Sequence, residues 1–119
     1  MSLVTFLKDL KKDVKILGSI LINVSGIPLA ADLPQGIDKD KIAMIFATVL
    51  LTGEKGLVDN KFGNLDRISI RGDEGEMFLF RVKEDLILCI LAPKNTSYGI
   101  LILSVKNLIN RLSSIKIEQ

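Results

Sequence analysis

The chain has 119 residues, of which 48% are apolar and 25% charged, with a net charge of +2. That length bounds the answer to one domain with a core large enough to need no staples. The charge balance (isoelectric point near 8.7) is too mild to argue for nucleic acid or anionic lipid by itself, and the single cysteine excludes an intrachain disulfide. Mean hydropathy is +0.37, so a chain this apolar either crosses a membrane or buries surface against something. No run approaches the roughly 18 uninterrupted apolar residues of a spanning helix. Charged residues from Lys8 to Asp13 interrupt the N-terminal leucines, which excludes a signal peptide. The expectation is a soluble, cytoplasmic domain, residues 1–119, that carries an interaction surface.

Leu3, Leu7, Leu10, Val14 and Leu17 recur at steps of four and three, with Phe6 widening the stripe and Ser2 as a candidate N-cap. Lys8, Lys11, Lys12 and Lys15 fall elsewhere around that helix and read as a solvated face. From residue 17 to 24 the period changes to two, a strand covered on both faces. Ser25-Gly26 is a turn, and 27–31 is a second strand that Pro28 confines to an edge. A loop with Pro34 and Gly36 leads to Asp38, which caps a helix over 38–58.

That helix has two apolar sides. Ile42, Ile45, Phe46, Val49, Leu50 and Leu57, with Gly53, form the side expected to lie on a sheet. Met44, Ala47, Leu51 and Val58 fall on the other at steps of three, four and seven, with Thr48 beside them. A small domain has little chain to spare for covering a second apolar side, so a second copy or a partner is expected there.

Residues 65–71 alternate, with Ile68 and Ile70 one way and Arg67, Ser69 and Arg71 the other. Gly72–Gly75 is a hairpin turn, and 76–82 is the next strand. Leu86–Ala92 (LILCILA) is apolar throughout and reads as a central strand. Asn95 or Ser97 then caps a last helix with Leu101, Val105, Leu108, Leu112 and Ile115 on its stripe, although 100–103 alone would pass for a strand. The predicted fold is α+β in the order α-β-β-α-β-β-β-α, a five-stranded antiparallel sheet in the order 2-1-5-4-3. The middle helix covers one face, and the first and last helices the other.

Gly18-Ser19-Ile20-Leu21-Ile22 followed by Ser25-Gly26-Ile27-Pro28-Leu29-Ala30, the strand that ends in Ala92-Pro93, and Tyr98-Gly99-Ile100 opening the last helix carry a resemblance. Together with the element order they resemble the roadblock / dynein light-chain family, in its stand-alone prokaryotic form, over essentially the whole chain. Ser25 departs from the Asp common at that turn. The resemblance implies a non-enzymatic dimer, formed with itself or with a paralogous roadblock-like chain, in which edge strands pair and middle helices pack. It further implies a scaffold or regulator of a Ras-like small GTPase, or a light chain of a motor. The interface expected from it comprises Met44, Ala47, Thr48, Leu51, Val58, Ile68 and Ile70.

The sequence carries no constellation for catalysis. It has no histidine, no GxxxxGK(S/T) phosphate loop, and its Cys89 sits in the most apolar strand. No cofactor and no metal are expected. Asp38 with Asp40, and Asp73 with Glu74 and Glu76, lack the spacing of a calcium loop. Arg67, Arg71 and Arg81, with Lys83, suggest a basic cluster that meets an acidic partner or guards an edge strand. Two rival readings remain. Sheets flanked by helices also build small-molecule sensors, although Asn23 is the main polar exception among the expected interior positions. Gly53-Glu54-Lys55-Gly56 matches the GxxG of KH nucleic-acid binders, but lacks their basic groove. No nucleic acid and no membrane insertion are expected.

Overall fold

The apolar run at 86–93 takes the centre of the sheet, because only there are both of its faces covered. A computed structural model describes residues 2–113. The elements are α1 (Leu3–Asp13), β1 (Gly18–Ile22), β2 (Pro28–Asp32), α2 (Lys39–Asp59), β3 (Arg67–Arg71), β4 (Gly75–Lys83), β5 (Leu86–Pro93) and α3 (Tyr98–Ser113). The strands form one antiparallel sheet in the order β2-β1-β5-β4-β3. This is the order expected from the hairpin turns, the two apolar strands and Pro28.

Alternation along the strands separates two cores. Leu21, Phe78, Phe80, Leu88 and Ile90 point to the side covered by α1 and α3, against Phe6, Leu7, Leu10, Leu101, Val105 and Leu108. Ile20, Ile22, Leu79, Ile87 and Cys89 point to the side covered by α2, against Ala43, Phe46, Ala47 and Leu50. Each large side chain so buried contributes about 1.5–3 kcal/mol.

The helix ends follow local chemistry. The Ser2 hydroxyl accepts from Thr5 N–H, and the Asp38 carboxylate accepts from the N–H groups of Asp40 and Lys41. Ser97 stands at the start of α3, its hydroxyl 3.5 Å from the Ile100 nitrogen. Asn95 instead occupies a left-handed position in the preceding turn (φ 65°). Residues 100–103 are helical, as the longer period required. The side chain of Leu112 and all of Ile115 lie outside what is described.

Three expectations need correction. Leu17 leaves the helical stripe: α1 ends at Asp13, and the exposed Leu17 donates its N–H to Leu91 as the first strand begins. Asn23 is no interior polar group, because its amide oxygen accepts from Ser25 and Ile27 and shapes the β1–β2 turn. On α2, Ile45 is exposed, Val49 is only half-buried, and Ala43 with Ala47 faces the sheet. The reason is close packing of the β1–β2 turn. Gly26 (φ 84°) approaches so nearly that a Cβ there would stand 3.0 Å from the Ala47 methyl. Two alanines on α2 admit that approach, and the helix is rotated about its axis to present them.

Candidate functional site

With Ala47 at 4% exposure, the outer side of α2 is narrower than expected, and Ala47 is withdrawn from the candidate surface. Met44, Leu51 and Val58 remain, at seven-residue steps, with relative exposures of 57%, 64% and 51%. Thr48 and Thr52 are exposed among them. Their hydroxyls donate to the carbonyls four residues earlier, Met44 O and Thr48 O, both at 2.9 Å. That back-bonding uses the hydroxyl donors within the helix, so these threonines add little polar demand to the stripe. Lys55 and Asp59 pair across one turn at 2.7 Å on the rim.

The end of α2 adds a residue that the periodicity did not single out. Lys61 adopts a left-handed conformation (φ 61°), its N–H donating to Val58 O while the Phe62 N–H donates to Leu57 O. These are the two bonds of a Schellman motif. The residue after such a cap commonly folds back onto the helix, yet Phe62 is 77% exposed. Its signal in the sequence is a lone aromatic in a polar loop.

β3 pairs with β4 and forms one edge of the sheet. Ile68 and Ile70 share the face covered by α2. Ile68 packs into that core, while Ile70 is 41% exposed. A Cβ on Gly53 would stand 2.9 Å from Leu65 Cδ1 and 3.1 Å from Ile68 Cδ1, so the missing side chain lets α2 approach the edge strand. Gly56 has open space around it and no packing role. The helix runs unbroken through both glycines, which overturns the KH alternative, since that clamp needs a loop between two helices.

The expected basic cluster does not assemble. The register Arg67↔Phe80 and Arg71↔Glu76 puts Arg67 and Arg71 on the α1/α3 face, whereas Arg81 follows Leu79 onto the α2 face. Arg67 lies 5.8 Å from the Tyr98 ring centroid. Arg71 Nε donates to Glu76 Oε1 at 2.9 Å, and the other oxygen of this buried carboxylate accepts from Thr96 N–H at 3.1 Å. Arg81 is a brace: it donates to Glu54 on α2, to Leu65 O at 3.0 Å and to Glu84 O. With these donors used inside the chain, it is not poised for a partner.

Beside the stripe, an open groove of about 720 Å³ runs between the second half of α2 and the β4–β5 turn, with Leu51, Val58, Glu54, Arg81 and Asp85 among its walls. Cys89 is fully buried, and burial pushes its thiol well above the ordinary range, so no nucleophile stands there. Among the described residues, no three His, Cys, Asp or Glu side chains gather as a metal site, and no helix is long and apolar enough to cross a membrane.

The family model described as Roadblock/LC7 domain matches residues 4–92. The chain belongs to the Roadblock/LC7 family. An uncharacterized protein of Methanocaldococcus jannaschii is 21% identical over 108 residues, 91% of this chain and 94% of its own. A Roadblock/LC7 domain from Streptomyces avermitilis has the same fold, with a TM-score of 0.87 at 14% identity, covering 96% of this roadblock chain and 97% of the other. MglB of Myxococcus xanthus gives 0.87 at 17% identity, covering 93% and 91%. In this roadblock domain, therefore, the exposed stripe of α2 and the edge β3 sit on the fold shared with those proteins.

Proposed function

We propose that this protein is a non-enzymatic, homodimeric scaffold that binds a Ras-like small GTPase in the cytoplasm. The observation that carries the reading is the stripe Met44–Leu51–Val58, three large apolar side chains each more than half exposed on one line of α2. Solvated helices rarely keep such a line, and exposed apolar patches of this kind mark interaction sites. A two-fold contact would bury the same stripe twice, with Ile70 on the neighbouring edge strand adding to it. The edge β3 would then offer its backbone to a second copy. The small-GTPase half of the reading rests on family membership. The lack of histidine and the burial of Cys89 support a role without chemistry of its own.

The sensor alternative fits less well. The groove beside α2 opens to solvent, and its Arg81 is already committed to Glu54 and two carbonyls.

The test is affinity capture with the tagged full chain from lysate of the source cells, supplied with GTP or GDP, followed by mass spectrometry. Recovery of a Ras-like GTPase with a preference between the two nucleotides is the expected result. Recovery of bound metabolite or RNA without any GTPase would overturn the proposal.

A further inference from the structure

Charge is distributed unevenly between the two layers of the fold. Residues 2–15 and 98–113, which contain α1 and α3, hold six basic residues against two acidic ones. Their net charge is +4 in a chain whose total is +2, so the remainder is net negative. One of the six, Arg111, is paired with Asp9 at 2.8 Å. The other five are lysines.

Their placement follows from the helix. Phe6, Leu7 and Leu10 point α1 into the core, which leaves Lys8, Lys11 and Lys12 on a single outward arc, with the exposed Lys15 two residues beyond the end of the helix. Lys8, Lys11 and Lys12 also wall a shallow groove of about 310 Å³ together with Asp32, the one carboxylate in that groove; of the two on α1, Asp9 is paired with Arg111 and Asp13 is exposed at the helix end. Exposed apolar side chains lie on the same layer: Val4 precedes the lysines on their arc, and α3 presents Ile100 and Leu103 to solvent. This layer lies on the opposite side of the sheet from α2.

We infer that the α1/α3 layer is a docking face for an anionic lipid bilayer, held by the α1 lysines and supported by Val4, Ile100 and Leu103. Three features favour a bilayer over other acidic partners. The cations on the α1 arc are all lysines, point charges on flexible stems that suit a diffuse field of headgroups. Negative surface charge and shallow apolar depth occur together at a bilayer interface, and this face carries the complement of both. Finally, the one exposed aromatic of these helices, Tyr98, is engaged with Phe78 and Arg67, so no aromatic platform for stacking nucleic-acid bases accompanies the lysines. The inference needs only one copy of the chain and does not depend on the dimer.

The experiment is sedimentation of the full chain with vesicles of phosphatidylcholine and phosphatidylserine in equal parts, beside vesicles of phosphatidylcholine alone. Binding is expected to the mixed vesicles only, and to fall as salt shortens the screening length from about 10 Å towards 3 Å. A lysine at such a surface is worth about fivefold in affinity, so K8Q/K11Q/K12Q/K15Q should lose roughly two to three orders of magnitude. The charge-matched variant K39Q/K41Q/K55Q/K61Q, altered at exposed lysines on and just after α2, should bind as wild type does. Should the α1 variant fail to fold by circular dichroism, K8Q/K12Q and K11Q/K15Q carry the same test, with a loss of about 25-fold each. The inference is overturned if wild type ignores the mixed vesicles or if the α1 and control variants lose binding equally. Binding of duplex RNA or polyglutamate without binding of vesicles overturns it too.

Discussion

Leu51→Glu separates the proposed interface from the fold because Leu51 contributes so little to the single chain. At 64% exposure, about two-thirds of its surface is left for a partner to cover. Full burial of a leucine is worth about 1.5–3 kcal/mol, so the partner's share is about 1–2 kcal/mol per copy. A two-fold contact repeats the loss, giving about 2–4 kcal/mol, or roughly thirty- to several-hundred-fold in dimer affinity. The introduced carboxylate adds a desolvation penalty at the centre of an apolar stripe. Within the monomer the same change is mild. Glu and Leu have similar helix propensity, and Glu at 51 stands one turn before Lys55, an arrangement worth about 0.2–0.5 kcal/mol. Sedimentation equilibrium should therefore find wild type dimeric and the variant monomeric, with matching circular dichroism and urea midpoints. A monomeric wild type at high micromolar concentration would refute the homodimer. A folded variant that stays dimeric would move the interface off α2. A variant that unfolds would mean that Leu51 belongs to the core.

Arg81→Met should lower stability by about 1.5–3 kcal/mol, since it strips the half-buried Glu54 and two carbonyls of a charged donor. The urea midpoint should fall with an unchanged m-value, and Glu54→Gln in the Arg81→Met background should recover part of the loss. Gly56→Ala should raise stability by about 0.8–1 kcal/mol, because open space surrounds that position in the helix. Gly53→Val should lower it by about 1–3 kcal/mol through collision with Leu65 and Ile68, and equal effects at the two glycines would disprove the packing role given to Gly53. Burial raises the Cys89 thiol far above its ordinary value, so at mildly alkaline pH iodoacetamide should leave the native protein unlabelled and modify it only in denaturant. Labelling of the folded protein would refute that burial.

The sequence by itself determined the order of elements and the order of strands. Leu86–Ala92 is apolar on both sides and can only be central, Pro28 cannot donate to a ladder and must lie at an edge, and short turns at Ser25-Gly26, Gly72–Gly75 and Lys83-Glu84-Asp85 leave antiparallel hairpins as the connection. These are local constraints, each readable from a few neighbouring residues. The rotation of α2 was not readable in that way. Apolar residues surround much of that helix, so periodicity allowed Ile45 and Ala47 to exchange roles. Only the approach of Gly26 to Ala47 decided which of them faces the sheet. The arginines make the same point. Arg67, Arg71 and Arg81 look like neighbours on adjacent strands, but a strand alternates sides at every residue, and the pairing of Arg67 with Phe80 sends Arg81 to the opposite face. Register and rotation belong to contacts between segments distant in the chain, which is why the tertiary structure alone decided what the candidate surface contains.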